Sequence, residues 1–181
     1  MFIKSAKFVR FSLLACLWGA SSMLFAETIV VKLDGYQVVS TQNSTGQGRF
    51  QAKIDRANQY IEYNLAYKNL KGDILQSHIH FGRPGTNGGI VTFLCTNLGN
   101  DPAASPAPNC PGPNEGEVTG IIEAEDIKYL SFPNVFPATQ LFDENDFDAL
   151  VNAIDAGAAY VVIHTTAQPP GELRGNVKQD D

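Results

Sequence analysis

The sequence predicts an all-β fold, an antiparallel Greek-key β-sandwich or barrel with one short helix. Most segments alternate apolar and polar residues with a period of two, as half-buried strands do. Stretches rich in glycine, proline and asparagine separate these segments at short intervals. About 155 of the 181 residues remain after a predicted signal peptide, enough for one domain with a hydrophobic core.

The first 26 residues have the composition of a secretory signal peptide. Basic residues precede an apolar stretch, and small residues lead to a cleavage site after Ala26. We therefore assign residues 1–26 to the signal peptide and 27–181 to a single domain. An alternative is lipidation at Cys16 in "SLLAC", but Leu14 is bulky for that signal and the apolar run continues past the cysteine.

The remaining chain is expected to be soluble and exported, either secreted or periplasmic. It has no other apolar run of the ~20 residues that a membrane span needs. Without Lys4, Lys7 and Arg10 it keeps 10 of its 13 basic residues against 19 acidic ones, a net charge of −9. Nucleic acid is not an expected partner, because binding to phosphates needs a basic face.

Strands are predicted in eight segments. In the first, Ile29, Val31 and Leu33 share one face, and the second and third show the same alternation. In chain order the segments are TIVVKL, GRFQAKID, QYIEYNLAYKNL, DILQSHIHF, GGIVTFLC, GEVTGII, AAYVVIHTT and GELRGNV.

Two stretches depart from this alternation. Residues 97–114 carry five prolines and no periodicity, so they are predicted to form a loop. Residues 143–157, "DENDFDALVNAIDAG", are predicted to form the helix, with Asp143 as N-cap and Gly157 at the C-terminal end. The apolar stripe of this helix is expected to face the core.

Two cysteines remain after cleavage, Cys95 and Cys110. An isolated pair in an oxidising compartment is expected to form a disulfide. This disulfide would close the proline-rich loop and stabilise the fold by roughly 3 kcal/mol in the chain-entropy model.

The chain has only three histidines, and two of them form the pattern His-x-His. Residues i and i+2 of a strand point to the same face, so His78 and His80 should project together. His164 lies at the end of another predicted strand and could complete a three-histidine metal site. Copper or zinc would suit these ligands, with copper favoured on intrinsic affinity, and binding should weaken as the imidazoles protonate near pH ~6.5.

A structural interpretation of the same histidines stays open. A histidine in a strand is often a hydrogen-bonded core residue, and His-x-His alone is a weak signal. In this alternative the protein is an interaction or structural module, with another exported protein as its partner, and the histidines brace the fold.

Two blocks of the sequence resemble the chordin (CHRD) domain family. "SHIHFGRPGTNGGIV" is similar to the family's A-H-I-H-G-P-A…N-G-x-V, and "AYVVIHTTAQPPGELRGNV" to its A-Y-V-N-V-H-T…P-G-G-E-I-R-G-Q. Phe81, Pro170 and Asn176 depart from the pattern, and the proline-rich loop and the helix look like insertions. The resemblance implies an exported single domain, while the animal chordin domains belong to a secreted antagonist of bone morphogenetic proteins.

A weaker resemblance is to copper,zinc superoxide dismutase, whose H-V-H-E-F-G and L-V-V-H segments supply copper ligands. It implies that His78, His80 and His164 are the counterparts, on an immunoglobulin-like or superoxide-dismutase-like sandwich. The chain has no fourth histidine and no visible zinc cluster, so dismutase activity is not expected and the sequence does not predict an enzyme.

Glu172 and Arg174 are two residues apart in the last predicted strand and so should share a face. The favoured interpretation is a pair that locks the final hairpin. The alternative is that one of them contacts a metal-binding histidine and orients its ring without binding the metal itself.

Overall fold

The computed structural model describes residues 27–131 and 140–178. The predicted signal peptide lies outside the described residues. Within the described part the chain forms eight strands and one α-helix, which confirms the predicted all-β class with a single short helix. The strands are β1 (Glu27–Leu33), β2 (Gln47–Asp55), β3 (Tyr60–Lys68), β4 (Ile74–Phe81), β5 (Ile90–Thr96), β6 (Gly116–Ile122), β7 (Ala159–Thr165) and β8 (Leu173–Val177), and the helix is α1 (Phe147–Asp155).

The strands form two antiparallel four-stranded sheets that pack as a sandwich. One sheet has the order β1-β2-β3-β6 and the other the order β5-β4-β7-β8. The connections β3–β4, β5–β6 and β6–β7 therefore cross between sheets. The second sheet brings β4, with its His-x-His, beside β7, with the third histidine.

The first sheet shows the alternation that the sequence predicts. Ile29, Val31 and Leu33 of β1 are buried in the core, and so are the matching residues of β2 and β3. The intervening residues of β2 and β3 are exposed or half-buried. This sheet has one dry face and one face toward solvent.

The second sheet is buried on both faces. Every residue of β5 and of β7 is buried, so these two strands lack the alternation that was predicted for most segments. One face, with Ile79, Val161 and Ile163, packs in the core. The other carries the histidines and lies under loop residues such as Val38, which is 7% exposed.

The helix begins three residues later than predicted. Asp146, not Asp143, is the N-cap, and its carboxylate accepts a hydrogen bond from the Ala149 backbone N–H at 2.9 Å. Asn145 has a left-handed φ of 61°, which a continuing helix cannot contain. Gly157, at φ 62°, follows the helix end as predicted.

Residues between β5 and β6 are held by more than one link. Cys95 and Cys110 form the predicted disulfide, and both are buried. The Asn97 side chain also accepts from the Cys110 N–H at 3.0 Å and donates to the Cys110 carbonyl at 3.1 Å. In the described residues no helix is long and apolar enough to cross a membrane.

Under denaturing, non-reducing conditions the protein without residues 1–26 should show no thiol that reacts with a maleimide. Replacing both Cys95 and Cys110 by alanine should lower the free energy of unfolding by about 3 kcal/mol, because the unfolded chain regains the entropy of the closed loop. Urea unfolding measures this loss. Two reactive thiols per chain would contradict the disulfide.

Candidate metal site

The three histidines of the chain lie together on the outer face of the second sheet. His78 and His80 come from β4, and the antiparallel register places Gln76 opposite His164 of β7. His78 Nδ1 is 3.2 Å from His164 Nε2, and one nitrogen of each ring lies within 4.8 Å of the others. Residues that are 86 positions apart thus share one site.

Backbone carbonyls fix the tautomers of two histidines. His80 Nδ1 lies 3.0 Å from the Gly88 carbonyl oxygen, and His164 Nδ1 lies 2.8 Å from that of Pro169. A carbonyl only accepts, so each Nδ1 carries the proton and each Nε2 keeps a lone pair. Histidines that bind metals are commonly held in this way by the ring nitrogen opposite the ligand atom.

Two nitrogens in the cluster have no hydrogen-bond partner in the described structure. They are Nε2 of His78 and Nε2 of His80, and both are shielded from solvent. A buried polar atom without a partner lowers stability, and most such atoms in folded proteins are satisfied. These nitrogens belong to a group of three histidines that could hold a metal ion.

Burial keeps the imidazoles neutral. His78 is 0%, His80 4% and His164 8% exposed. Burial first, and then repulsion from His164, holds the pKa of His78 well below its usual value and lowers the pKa of His80 to about 3. Burial also lowers the pKa of His164. At neutral pH all three rings are in the form that binds a metal ion.

Aromatic rings hold the imidazoles in place. Phe93 of β5 meets His78 edge to face, with ring centroids 4.3 Å apart. Tyr160 of β7 stacks on His80 at 4.9 Å and an interplanar angle of 10°. The Tyr160 hydroxyl accepts a hydrogen bond from the Gly88 N–H at 2.9 Å, so the residue that orients His80 is itself fixed.

Gly88 has no room for a side chain. A Cβ there would lie 1.7 Å from the Phe81 carbonyl oxygen. This close approach lets the β4–β5 connection fold back so that the Gly88 carbonyl reaches His80. Sequence patterns did not reveal this role of Gly88, nor those of Phe93, Tyr160 and Pro169, because each depends on tertiary contacts.

A cavity of about 500 Å³ lies against the histidines. The three imidazoles and Val162 line its buried part. Exposed residues, Asn87, Pro169 and Pro170, line it as well, together with Val39 at 39% exposed. The cavity therefore extends from the buried histidines to exposed residues at the surface.

The predicted pair of Glu172 and Arg174 does not form. Glu172 precedes β8, after Gly171 at φ 137°, so it does not follow the alternation of faces that the prediction assumed. Its carboxylate accepts hydrogen bonds from the Ser44 hydroxyl, the Lys71 N–H and the Thr165 hydroxyl. None of these groups belongs to a histidine.

Arg174 reaches the histidines only through a tyrosine. Its guanidinium carbon lies 3.5 Å from the centre of the Tyr160 ring, which stacks on His80. Its nitrogens donate to the carbonyls of Thr86 and Arg83 at 2.7 and 3.1 Å. These bonds hold the connection that carries Gly88, the acceptor for His80.

Replacing Glu172 by alanine should lower the free energy of unfolding by about 2 kcal/mol, because the buried Thr165 hydroxyl and two partly buried donors lose a charged acceptor. Metal affinity should change by less than about twofold, since Glu172 bonds to none of the three rings. Chemical unfolding and metal titration of the variant measure the two effects. A tenfold loss of affinity with stability retained would contradict this assignment.

No curated protein and no solved structure matches the chain. A family model, the CHRD domain, matches residues 29–177. The match runs from the first strand to the end of the last and includes all three histidines, Gly88 and Arg174. The chain belongs to the CHRD domain family.

Proposed function

We propose that this protein is an exported module that binds one metal ion, copper in preference to zinc, through His78, His80 and His164. Export is supported by the family, since CHRD domains are extracellular modules. The Cys95–Cys110 disulfide also fits an oxidising compartment.

The observation that carries the proposal is the pair of unpartnered, buried Nε2 atoms beside a third imidazole. In His80 the hydrogen bond from Nδ1–H to the Gly88 carbonyl leaves a lone pair on Nε2. No donor in the described structure bonds to this lone pair. The same bond pattern at His164 directs its Nε2 toward His78. A metal ion would satisfy Nε2 of His80 and would bind Nε2 of His164 and one ring nitrogen of His78 as well.

The spacing of the nitrogens fits a shared ion. Two nitrogens bound at 2.0–2.1 Å to one tetrahedral ion lie about 3.3 Å apart. His78 Nδ1 and His164 Nε2 are 3.2 Å apart. The widest separation among the three is up to 4.8 Å, so a small rotation of one ring would complete the set. Three protein ligands leave a position open for water or another ligand.

The donor set favours copper. Three neutral imidazoles suit copper and zinc, and divalent copper has the highest affinity in the first-row series. Both cysteines of the described chain are in the disulfide, so they offer no thiolate. The group of potential ligands that the described residues bring together contains histidines alone.

The alternative function, a structural or interaction module, also has an observation in its favour. The 3.2 Å contact between His78 and His164 has the length of an N–H···N hydrogen bond. In that case the cluster braces β4 against β7. The structural interpretation leaves the lone pair on Nε2 of His80 without a partner, and for this reason we prefer the metal site.

Removing any one imidazole should abolish high-affinity copper binding, because two nitrogens cannot replace a convergent three-nitrogen site. The informative variants are His78→Phe, His80→Phe and His164→Phe, which keep a ring in the aromatic stack and remove the nitrogen. Calorimetric titration with copper and with zinc should show one ion per wild-type chain and at least about a hundredfold weaker binding in each variant.

The matched control is Glu172→Ala. It removes a buried polar side chain that makes no hydrogen bond to a histidine. It should bind copper as the wild type does. The metal site is wrong if the wild type binds neither ion, or if His164→Phe binds as tightly as the wild type while folded.

Protons compete with the metal ion for the imidazole nitrogens. They should release the metal at a pH below the ~6.5 that the sequence predicts. The pKa of His80 is lowered to about 3, so in the folded protein the ring stays neutral below pH 6.5. In the unfolded chain the same ring binds a proton below ~6.5. The stabilisation by neutral His80 is thus full above pH ~6.5 and is lost progressively as the pH falls toward its folded pKa.

The metal-free wild type should therefore lose stability faster in acid than His80→Phe. The difference should be about 1.4 kcal/mol per pH unit below pH ~6, the slope for one proton. Urea unfolding of both proteins between pH 7 and pH 4 measures it. Parallel pH profiles would mean that His80 titrates normally in the folded state.

A further inference from the structure

Arg174 is a buried cation without a carboxylate partner in the described structure. It is 1% exposed. Its hydrogen bonds go to the carbonyl oxygens of Thr86 and Arg83 and to the amide oxygen of Asn176, all of them neutral. Its Nε is buried and makes no hydrogen bond in this part of the chain. Buried charges are normally paired, and beside the Tyr160 ring this guanidinium has only neutral partners, so its surroundings favour an anionic ligand.

The same cavity touches both Arg174 and the histidines. The register places Val162 of β7 between His78 of β4 and Arg174 of β8, so these side chains stand in a row across three strands. A metal ion at the histidines would add positive charge to a cavity that Arg174 also lines. The three imidazoles are neutral, so they offset neither the charge of the ion nor that of Arg174.

The walls of the cavity favour an organic anion over a small inorganic one. Apolar side chains line much of it, namely Val38, Val39, Ile90, Val162, Pro169 and Pro170. Its volume of about 500 Å³ exceeds that of a single inorganic ion and lies in the range of small-molecule sites. The exposed residues that line it let a ligand enter from solvent.

We propose that this cavity binds a small organic carboxylate, one oxygen of which takes the open position on the metal ion while Arg174 compensates its charge. The ligand displaces a metal-bound water, and its apolar body lies against the valines and prolines. This inference rests on the proposed metal site, because the carboxylate needs the ion as its second anchor.

Benzoate and its neutral isostere benzamide test the charge requirement in the wild type. Benzoate should shift the visible absorption band of the copper-loaded protein to saturation, and benzamide should bind at least about tenfold more weakly. Hexanoate should bind more tightly than acetate, by about three- to fourfold for each methylene that reaches the apolar wall. Equal affinities for benzoate and benzamide would overturn the proposal.

Arg174→Met removes the charge and keeps an apolar stem. It should weaken benzoate binding to the copper-saturated variant at least about tenfold. Lys32→Met, at an exposed cation of β1, is the matched control and should leave benzoate binding unchanged. Thermal unfolding checks each variant, and the comparison of benzoate with benzamide needs no variant at all.

Failure of the metal site and failure of this inference give different results. Copper bound at one ion per chain with no benzoate binding overturns the carboxylate site alone. A wild type that binds no copper or zinc overturns both. Benzoate binding that Arg174→Met leaves unchanged overturns the role of Arg174.

Discussion

Two hydrogen bonds from imidazoles to backbone carbonyls determine the chemistry of this molecule. The bonds His80 Nδ1–H···O=C Gly88 and His164 Nδ1–H···O=C Pro169 set the tautomers and direct both Nε2 atoms into the cluster. Both acceptors lie in connections that fold back over the second sheet. The same segments that bury the rings thereby also orient them, and burial keeps the rings neutral.

This arrangement explains why the two sheets differ. The first sheet has a solvent face and alternates as an antiparallel sheet usually does. The second is covered on both sides, by the core on one face and by loops on the other. The covered outer face gives the histidines a dry environment at the end of an open cavity, which is where electrostatic interactions are strongest. Arg174, equally buried, extends that environment toward the last strand.

Local pattern predicted the elements well, and tertiary contacts account for what it missed. Alternation located the strands, and the rarity of histidine identified His78, His80 and His164 before their proximity was known. The helix start was wrong because Asn145 adopts a left-handed conformation, which a sequence of acidic residues does not reveal. The pairing of Glu172 with Arg174 was wrong because alternation was extended one residue beyond the strand. The acceptors at Gly88 and Pro169 could not be predicted, since a carbonyl has no residue signature.

The most direct test of the central claim is a crystal structure of the copper-soaked protein, with anomalous data collected on both sides of the copper absorption edge. The account predicts one anomalous peak at 2.0–2.1 Å from Nε2 of His80, Nε2 of His164 and one ring nitrogen of His78. The same map without a peak at the cluster, and with the His78–His164 contact kept as a hydrogen bond, would contradict it.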